Sequence, residues 1–159
     1  MKLSALILTA CLLLTACAGR DGGRLATAPY DESADGERQV AEALALARQG
    51  GKRVLLVFGA NWCVDCRAMD ALFKSHAAIA GELAAHFVVA RIEVGRHETP
   101  RKNAALIDRF GVAMETGIPV LVVADHQGRL LYETKKERLA DTDHRDPGKV
   151  LAFLKQWAK

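Results

Sequence analysis

Two cysteines, Cys63 and Cys66, stand three positions apart within Phe58-Gly-Ala-Asn-Trp-Cys-Val-Asp-Cys-Arg-Ala-Met-Asp70. An apolar run, Val54-Leu-Leu-Val-Phe58, leads in, and a helix-compatible run, Arg67-Ala-Met-Asp-Ala-Leu-Phe73, leads out. With a strand before and a helix after, both cysteines fall on the first helical turn. There, side chains at i and i+3 are neighbours and can close a disulfide. Backbone N–H groups and the positive end of the helix dipole face the first sulfur and favour its thiolate. A thiolate attacks a disulfide, and a second thiol one turn away can then expel the product. The pattern therefore points to dithiol–disulfide exchange. The competing readings are a redox-inert pair or half of a zinc site, which needs two further ligands. His76, His86, His97, His126 and His144 show no paired spacing that would supply them.

The elements that must position this pair are legible around it. Glu37–Gln49 reads as a helix with Val40, Leu44 and Ala47 on one face, stopped by Gly50-Gly51. Arg53–Phe58 is a continuously apolar strand, as expected of one buried on both faces. The dithiol helix runs from Trp62 to about Lys74, and Ala77–Ala85 adds a second helical segment. Phe87–Val94 is the next strand, followed by the loop Gly95–Arg101. Pro100 suits the first turn of a helix running to Phe110, before Gly111. Ile118–Ala124 and Arg129–Thr134 form a hairpin around the turn Asp125-His-Gln-Gly128. Asp146-Pro147 opens a last helix to Ala158, with Val150, Leu151, Leu154 and Trp157 inward. The chain of 159 residues has the length of one domain, and its 50% hydrophobic content is enough to bury a core. A net charge of +3, few aromatics and no basic run exclude a nucleic-acid binder.

Residues 1–16 read as a signal peptide: a basic start at Met1-Lys2, then an apolar stretch from Leu3 to Leu14 too short for a permanent membrane span. Leu14-Thr-Ala-Cys17 resembles the bacterial lipoprotein lipobox, which implies acylation of Cys17; an ordinary cleaved secretory signal is the alternative. Leu8-Thr-Ala-Cys11 repeats the pattern, but cleavage there leaves an apolar region below the usual ~7–15 residues. Ala18 stands where an inner-membrane retention signal carries Asp, which points to the outer membrane. Residues 17–35 are Gly- and Ala-rich with scattered charge and read as a flexible tether spanning roughly 20–25 Å. With Cys11 cleaved away and Cys17 lipidated, Cys63 and Cys66 are the only dithiol in an oxidising compartment. Residues 36–159 make up the folded domain.

At Trp62-Cys63-Val64-Asp65-Cys66, with Gly117-Ile118-Pro119 following at matching spacing, the chain resembles the thioredoxin superfamily. It is most like bacterial envelope members such as the C-terminal domain of the thiol–disulfide interchange protein, over roughly residues 37 to 158. The resemblance implies an α/β thioredoxin fold, a mixed four-stranded sheet with helices on both faces. It implies Cys63 as the exposed nucleophile and Cys66, a turn deeper, as the resolving thiol. Trp62 would lie beside the dithiol, though it could equally anchor the helix start. Pro119 would be a cis-proline facing the dithiol, leaving Ile118 backbone groups to pair with a bound peptide. The base rate of cis at X–Pro bonds alone, about 5–6%, favours trans.

Departures from the family pattern set further expectations. Thioredoxin's buried acid lies six residues before the first cysteine, and that position here is Val57. Its partner lysine aligns with Arg91. Two residues on along the same strand face, Glu93 is a candidate proton acceptor for Cys66; an Arg91–Glu93 surface pair is the other reading. Asp65, between the cysteines, either raises the Cys63 pKa as a nearby anion or simply suits a helix's first turn. Arg96, Arg101 and Lys102 form either a basic rim for an acidic partner or a solvated loop. Together these features describe a monomeric, lipid-anchored reductant of protein disulfides facing the periplasm. It needs no cofactor or metal and draws electrons from another dithiol protein. The alternatives are a disulfide oxidase or isomerase, or a metal-binding or assembly module. Replacing Cys17 with Ser is expected to release the protein from membranes. Fractionation with mass spectrometry of the mature N-terminus checks this, and an unlipidated start elsewhere would refute the anchor.

Overall fold

The computed structural model describes residues 28–96, 101–132 and 145–158. The signal segment, Cys17, His97, Pro100, the end of the second hairpin strand and His144 lie outside the described residues. Strand β1 (Arg53–Gly59) is central. It pairs in parallel with β2 (Phe87–Glu93) and antiparallel with β3 (Val120–Ala124), and β3 pairs antiparallel with β4 (Leu130–Tyr132). The sheet order is β2-β1-β3-β4, the mixed four-stranded sheet expected from the sequence.

Alternation along β1 divides the core into two layers. Val54, Leu56 and Phe58 face helices α1 (Gly36–Gly50) and α4 (Ala104–Arg109) through Val40, Ala43, Leu106 and Ile107. Leu55 and Val57 face α2 (Val64–Ser75), α3 (Ala77–His86) and α5 (Pro147–Trp157) through Met69, Phe73, Ile79, Val150 and Leu154. Each layer buries its own apolar set, so the strand is buried on both faces, as its unbroken apolar run requires. In α5, Phe153 is buried as well, whereas Leu151 and Trp157 are only partly buried. Helix ends follow side-chain chemistry. Asp35 caps α1 by accepting from the N–H groups of Glu37 and Arg38, and Asp146 caps α5 through Gly148 and Lys149.

Two expectations are corrected. The helix placed from Pro100 to Phe110 is shorter, because Asn103 adopts a left-handed conformation (φ 58°) and α4 starts only at Ala104. Tertiary contacts hold that residue there: its Nδ2 donates to the Glu93 carbonyl at 2.8 Å, and its Oδ1 accepts from the Gly36 N–H at 3.3 Å. The stretch read as a tether also enters the fold. Tyr30 is 3% exposed and packs with the layer beneath α2, so the folded part begins before residue 36.

The dithiol helix is docked onto β2 by Asp70. Its buried carboxylate accepts from Arg91 Nε at 2.7 Å and from Nη2 at 2.6 Å, and pairs with Lys74 at 2.6 Å. Losing Asp70 strands a partly buried guanidinium. Asp70→Ala is expected to cost about 2 kcal/mol, less than the ~3–5 kcal/mol of a fully buried pair because water reaches Arg91. Denaturant unfolding measures it, and a loss below about 0.5 kcal/mol would mean the pair carries no net stability.

Candidate active site

Strand β1 ends at Gly59, and a short turn closed by the Cys63 N–H donating to the Ala60 carbonyl (3.2 Å) brings the chain to α2. Cys63 is the N-cap residue of that helix, in extended conformation (φ −77°, ψ 120°). Its Sγ takes the place of an oxygen cap and accepts from the Cys66 N–H at 3.2 Å. The same sulfur lies 3.5 Å from the Ile118 carbonyl oxygen, at the cis Ile118–Pro119 bond that precedes β3. Both cysteines are free thiols. Cys63, expected to be exposed, is only 8% exposed, because capping turns its sulfur back toward the helix and under Ile118; Cys66 lies deeper at 1%. Trp62 lies at the rim, 38% exposed, with its Nε1 donating to the Gly95 carbonyl at 3.0 Å. The loops after β1 and β2 therefore meet at one sheet edge, as parallel strands demand.

The other residues singled out from the sequence fall as follows. Val57 is buried on the dithiol face, in register with Arg91. Arg91 binds Asp70, so the Arg91–Glu93 surface pair does not form. Glu93 is 4% exposed, and one carboxylate oxygen accepts from the Gly95 N–H at 3.0 Å. Its second oxygen is buried without a hydrogen-bond partner among the described residues. Burial raises the Glu93 carboxyl above the ordinary range, only partly offset by the Gly95 N–H. Asp65 is not a bare anion beside Cys63, because Arg145, from just before α5, pairs with it. Lys102 is bound to the Glu32 carbonyl, and the basic rim does not present it as a free cation. Among the described residues, no cluster of three or more His, Cys, Asp or Glu side chains could hold a metal ion.

Three contributors escape a linear reading. The Tyr30 hydroxyl and the Cys66 sulfur both lie against Gly59. Asn61 holds the Tyr30 backbone from both sides, accepting from its N–H at 3.0 Å and donating to its carbonyl at 2.8 Å. Gly59 leaves the space in which the Tyr30 hydroxyl and the Cys66 sulfur lie: a Cβ there would come within 2.3 Å of the first and 2.9 Å of the second. The one sequence signal was Tyr30 itself, the lone aromatic among mostly small and charged residues before α1. Burial pushes the Cys66 thiol well above the ordinary cysteine range, and holds the Tyr30 hydroxyl protonated far above the ordinary tyrosine range.

A family model described as thioredoxin-like matches residues 35–126. A disulphide isomerase from Xylella fastidiosa Temecula1 has a similar structure, with 37% sequence identity and a TM-score of 0.72, covering 82% of this chain and 97% of that one. A thioredoxin from Thermus thermophilus, 27% identical, superimposes with a TM-score of 0.51 over 73% of this chain and 81% of its own. Among curated proteins, none matches.

The buried Glu93 carboxyl generates a pH prediction. A carboxyl that titrates higher in the folded chain binds more protons when folded. Its contribution to stability is therefore present at low pH and lost as pH rises through the raised value. Glu93→Gln keeps an acceptor for Gly95 and removes the charge. It is expected to melt above the wild type at neutral pH, with the difference closing below about pH 4. Equal melting temperatures across that range would contradict the buried-carboxylate assignment.

Proposed function

This chain belongs to the thioredoxin-like family, and from that premise we propose that it is a thiol–disulfide oxidoreductase of the bacterial cell envelope, reducing protein disulfides through Cys63 and Cys66. The observation that carries the reading is the Cys63 sulfur at the N-cap of α2, on the Cys66 N–H and at the positive end of the helix. As a thiolate, Cys63 attacks one sulfur of a partner disulfide. A Cys63–partner bond forms, and the other partner sulfur leaves with the electron pair. Cys66, having given up its proton, then attacks the Cys63 sulfur. The Cys63–Cys66 bond forms, the mixed disulfide breaks, and the second partner thiolate departs. Two electrons have passed to the substrate, and another dithiol protein restores the pair. No bound cofactor enters the cycle.

Ile118 and Pro119 border the Cys63 sulfur and receive the substrate strand, while Trp62 shields the exposed side. Glu93 is the acceptor for the Cys66 proton. It shares a sheet face with Gly59, its partner in register, over which Cys66 lies, and its free oxygen and the upward push of burial on its carboxyl suit a proton acceptor. The Cys17 anchor and the periplasmic location rest on Leu14-Thr-Ala-Cys17.

The pair's surroundings support the reducing direction. Strong oxidants owe their potential to a stabilised reduced form. Here no histidine lies between the cysteines, and burial disfavours the Cys66 thiolate. Isomerisation is the second reading, favoured by the 37% identity to a protein described as a disulphide isomerase; it uses the same nucleophile and also needs a reduced pair.

Cys66→Ala is expected to accumulate covalent complexes with partner proteins, whereas Cys63→Ala abolishes both trapping and turnover. Trapping through Cys66 instead would overturn the mechanism. The Cys63/Cys66 couple is expected below about −200 mV, and a value near the ~−120 mV of strong oxidants would refute the reductase direction. Faster recovery of activity from a scrambled-disulfide substrate than net reduction of it would favour isomerisation. In the same assays Glu93→Gln is expected to slow mixed-disulfide resolution without slowing the first attack.

A further inference from the structure

We infer that the Tyr30 hydroxyl is a catalytic hydrogen-bond donor to the Cys66 sulfur, holding it as a thiolate while it resolves the mixed disulfide. The inference rests on the exchange reading above and adds a residue from outside the family's two motifs.

The geometry is specific. Val57 and Gly59 point to the same face of β1, toward α2. Val57, where the resembling family carries an acid, offers no polar atom. Two residues on, Gly59 offers no side chain at all, and the Tyr30 hydroxyl and Cys66 sulfur fill the opening. The tyrosine is fastened there from outside: Asn61, two residues before Cys63, binds both its N–H and its carbonyl. The segment carrying Tyr30 and the loop carrying the dithiol are thus one unit. A tyrosine fixed at a buried sulfur by a clamp within the active-site loop does more than fill space.

The role is that of donor, not base. Burial keeps the phenol protonated, so it cannot take the Cys66 proton, but it can direct its O–H at the sulfur once that proton has left. In the resolving step Tyr30 keeps its own proton. The Cys66–Cys63 bond forms, the Cys63–partner bond breaks, and the electron pair leaves on the partner's sulfur. The ionisable groups around the pair are Cys63 at the α2 N-cap, Arg91 from β2, whose charge is shared with Asp70 of α2, and Glu93 at the end of β2. Tyr30 and Cys63 are the side chains that act on the Cys66 sulfur, beside the Ala60 backbone.

The full chain, reduced and mixed with the aromatic disulfide dithiobis(nitrobenzoic acid), releases one thionitrobenzoate when Cys63 attacks and a second when Cys66 resolves. The two phases separate in stopped flow. Losing a hydrogen bond to an ionised sulfur raises its pKa by about one unit or more. That cuts the thiolate fraction about tenfold while raising its nucleophilicity about threefold, a net loss of about threefold in rate. Tyr30→Phe, which keeps the ring, is expected to leave the first phase unchanged. It should slow the second about threefold throughout the range in which the rate rises with pH. Fluorotyrosine at position 30, in a Tyr132→Phe background so that no other tyrosine is labelled, is a stronger donor and should speed the second phase. An unchanged second phase in Tyr30→Phe, or slowing by both substitutions alike, overturns the inference and leaves the exchange mechanism standing. Absence of the second release from the wild type instead brings down the exchange reading, and this inference with it.

Discussion

Strand β1 is hydrogen-bonded on both edges and covered on both faces, and it ends in a residue with no side chain. That combination is the constraint on which the site depends. Pairing with β2 and β3 fixes where Gly59 lies, and the missing Cβ opens a space into which a buried sulfur and a buried hydroxyl both fit. Every atom larger than hydrogen at that position would compete with the dithiol. Two elements are placed by the same end of β1. The turn through Ala60 to Cys63 sets the first residue of α2, and the segment through Tyr30 is tied to that turn by Asn61.

Charge around the dithiol is arranged by pairing. Asp65 is matched by Arg145, and Asp70 by Arg91 and Lys74. What remains for the cysteines is the helix end, the Cys66 N–H on the Cys63 sulfur, and the cost of burying Cys66. The two sulfurs are thus placed differently: Cys63 caps the helix, and burial disfavours a thiolate at Cys66. In the proposed cycle such a pair separates attack from resolution, because the inner sulfur must first lose a proton. Glu93 fits the same division. It is a buried carboxyl with one oxygen satisfied by Gly95 and the other without a partner among the described residues, an arrangement that costs stability and that packing alone would not call for.

Much of this was legible in the chain itself. The Val54–Phe58 run, the two glycines at the end of α1 and the Asp-Pro at the start of α5 are local signals, and the sheet and its flanking helices follow from them. The Cys63-x-x-Cys66 spacing pointed to exchange chemistry, since helical geometry brings i and i+3 together, and it became specific only with Gly117-Ile118-Pro119 beside it. Pro119 and Trp62 reached the site through motif resemblance, and both lie at it.

What only the tertiary structure decided are partnerships across large sequence separations. Arg91 chose Asp70 over Glu93 because α2 lies across β2 and its carboxylate is nearer than a neighbour along the strand, whose own side chain is taken up by Gly95. Asn103 leaves the helical conformation because it ties the start of α1 to the end of β2, and no local propensity encodes those contacts. Tyr30 was hidden for the same reason. Among small and charged residues a single aromatic carries no periodicity, and its meaning comes from a glycine 29 positions later and a thiol 36 positions later that the fold brings to one point. Sequence patterning specifies which faces are buried. Which polar groups meet inside is settled only when the elements have docked, because each buried donor and acceptor must then find a partner among whatever the packing has brought near.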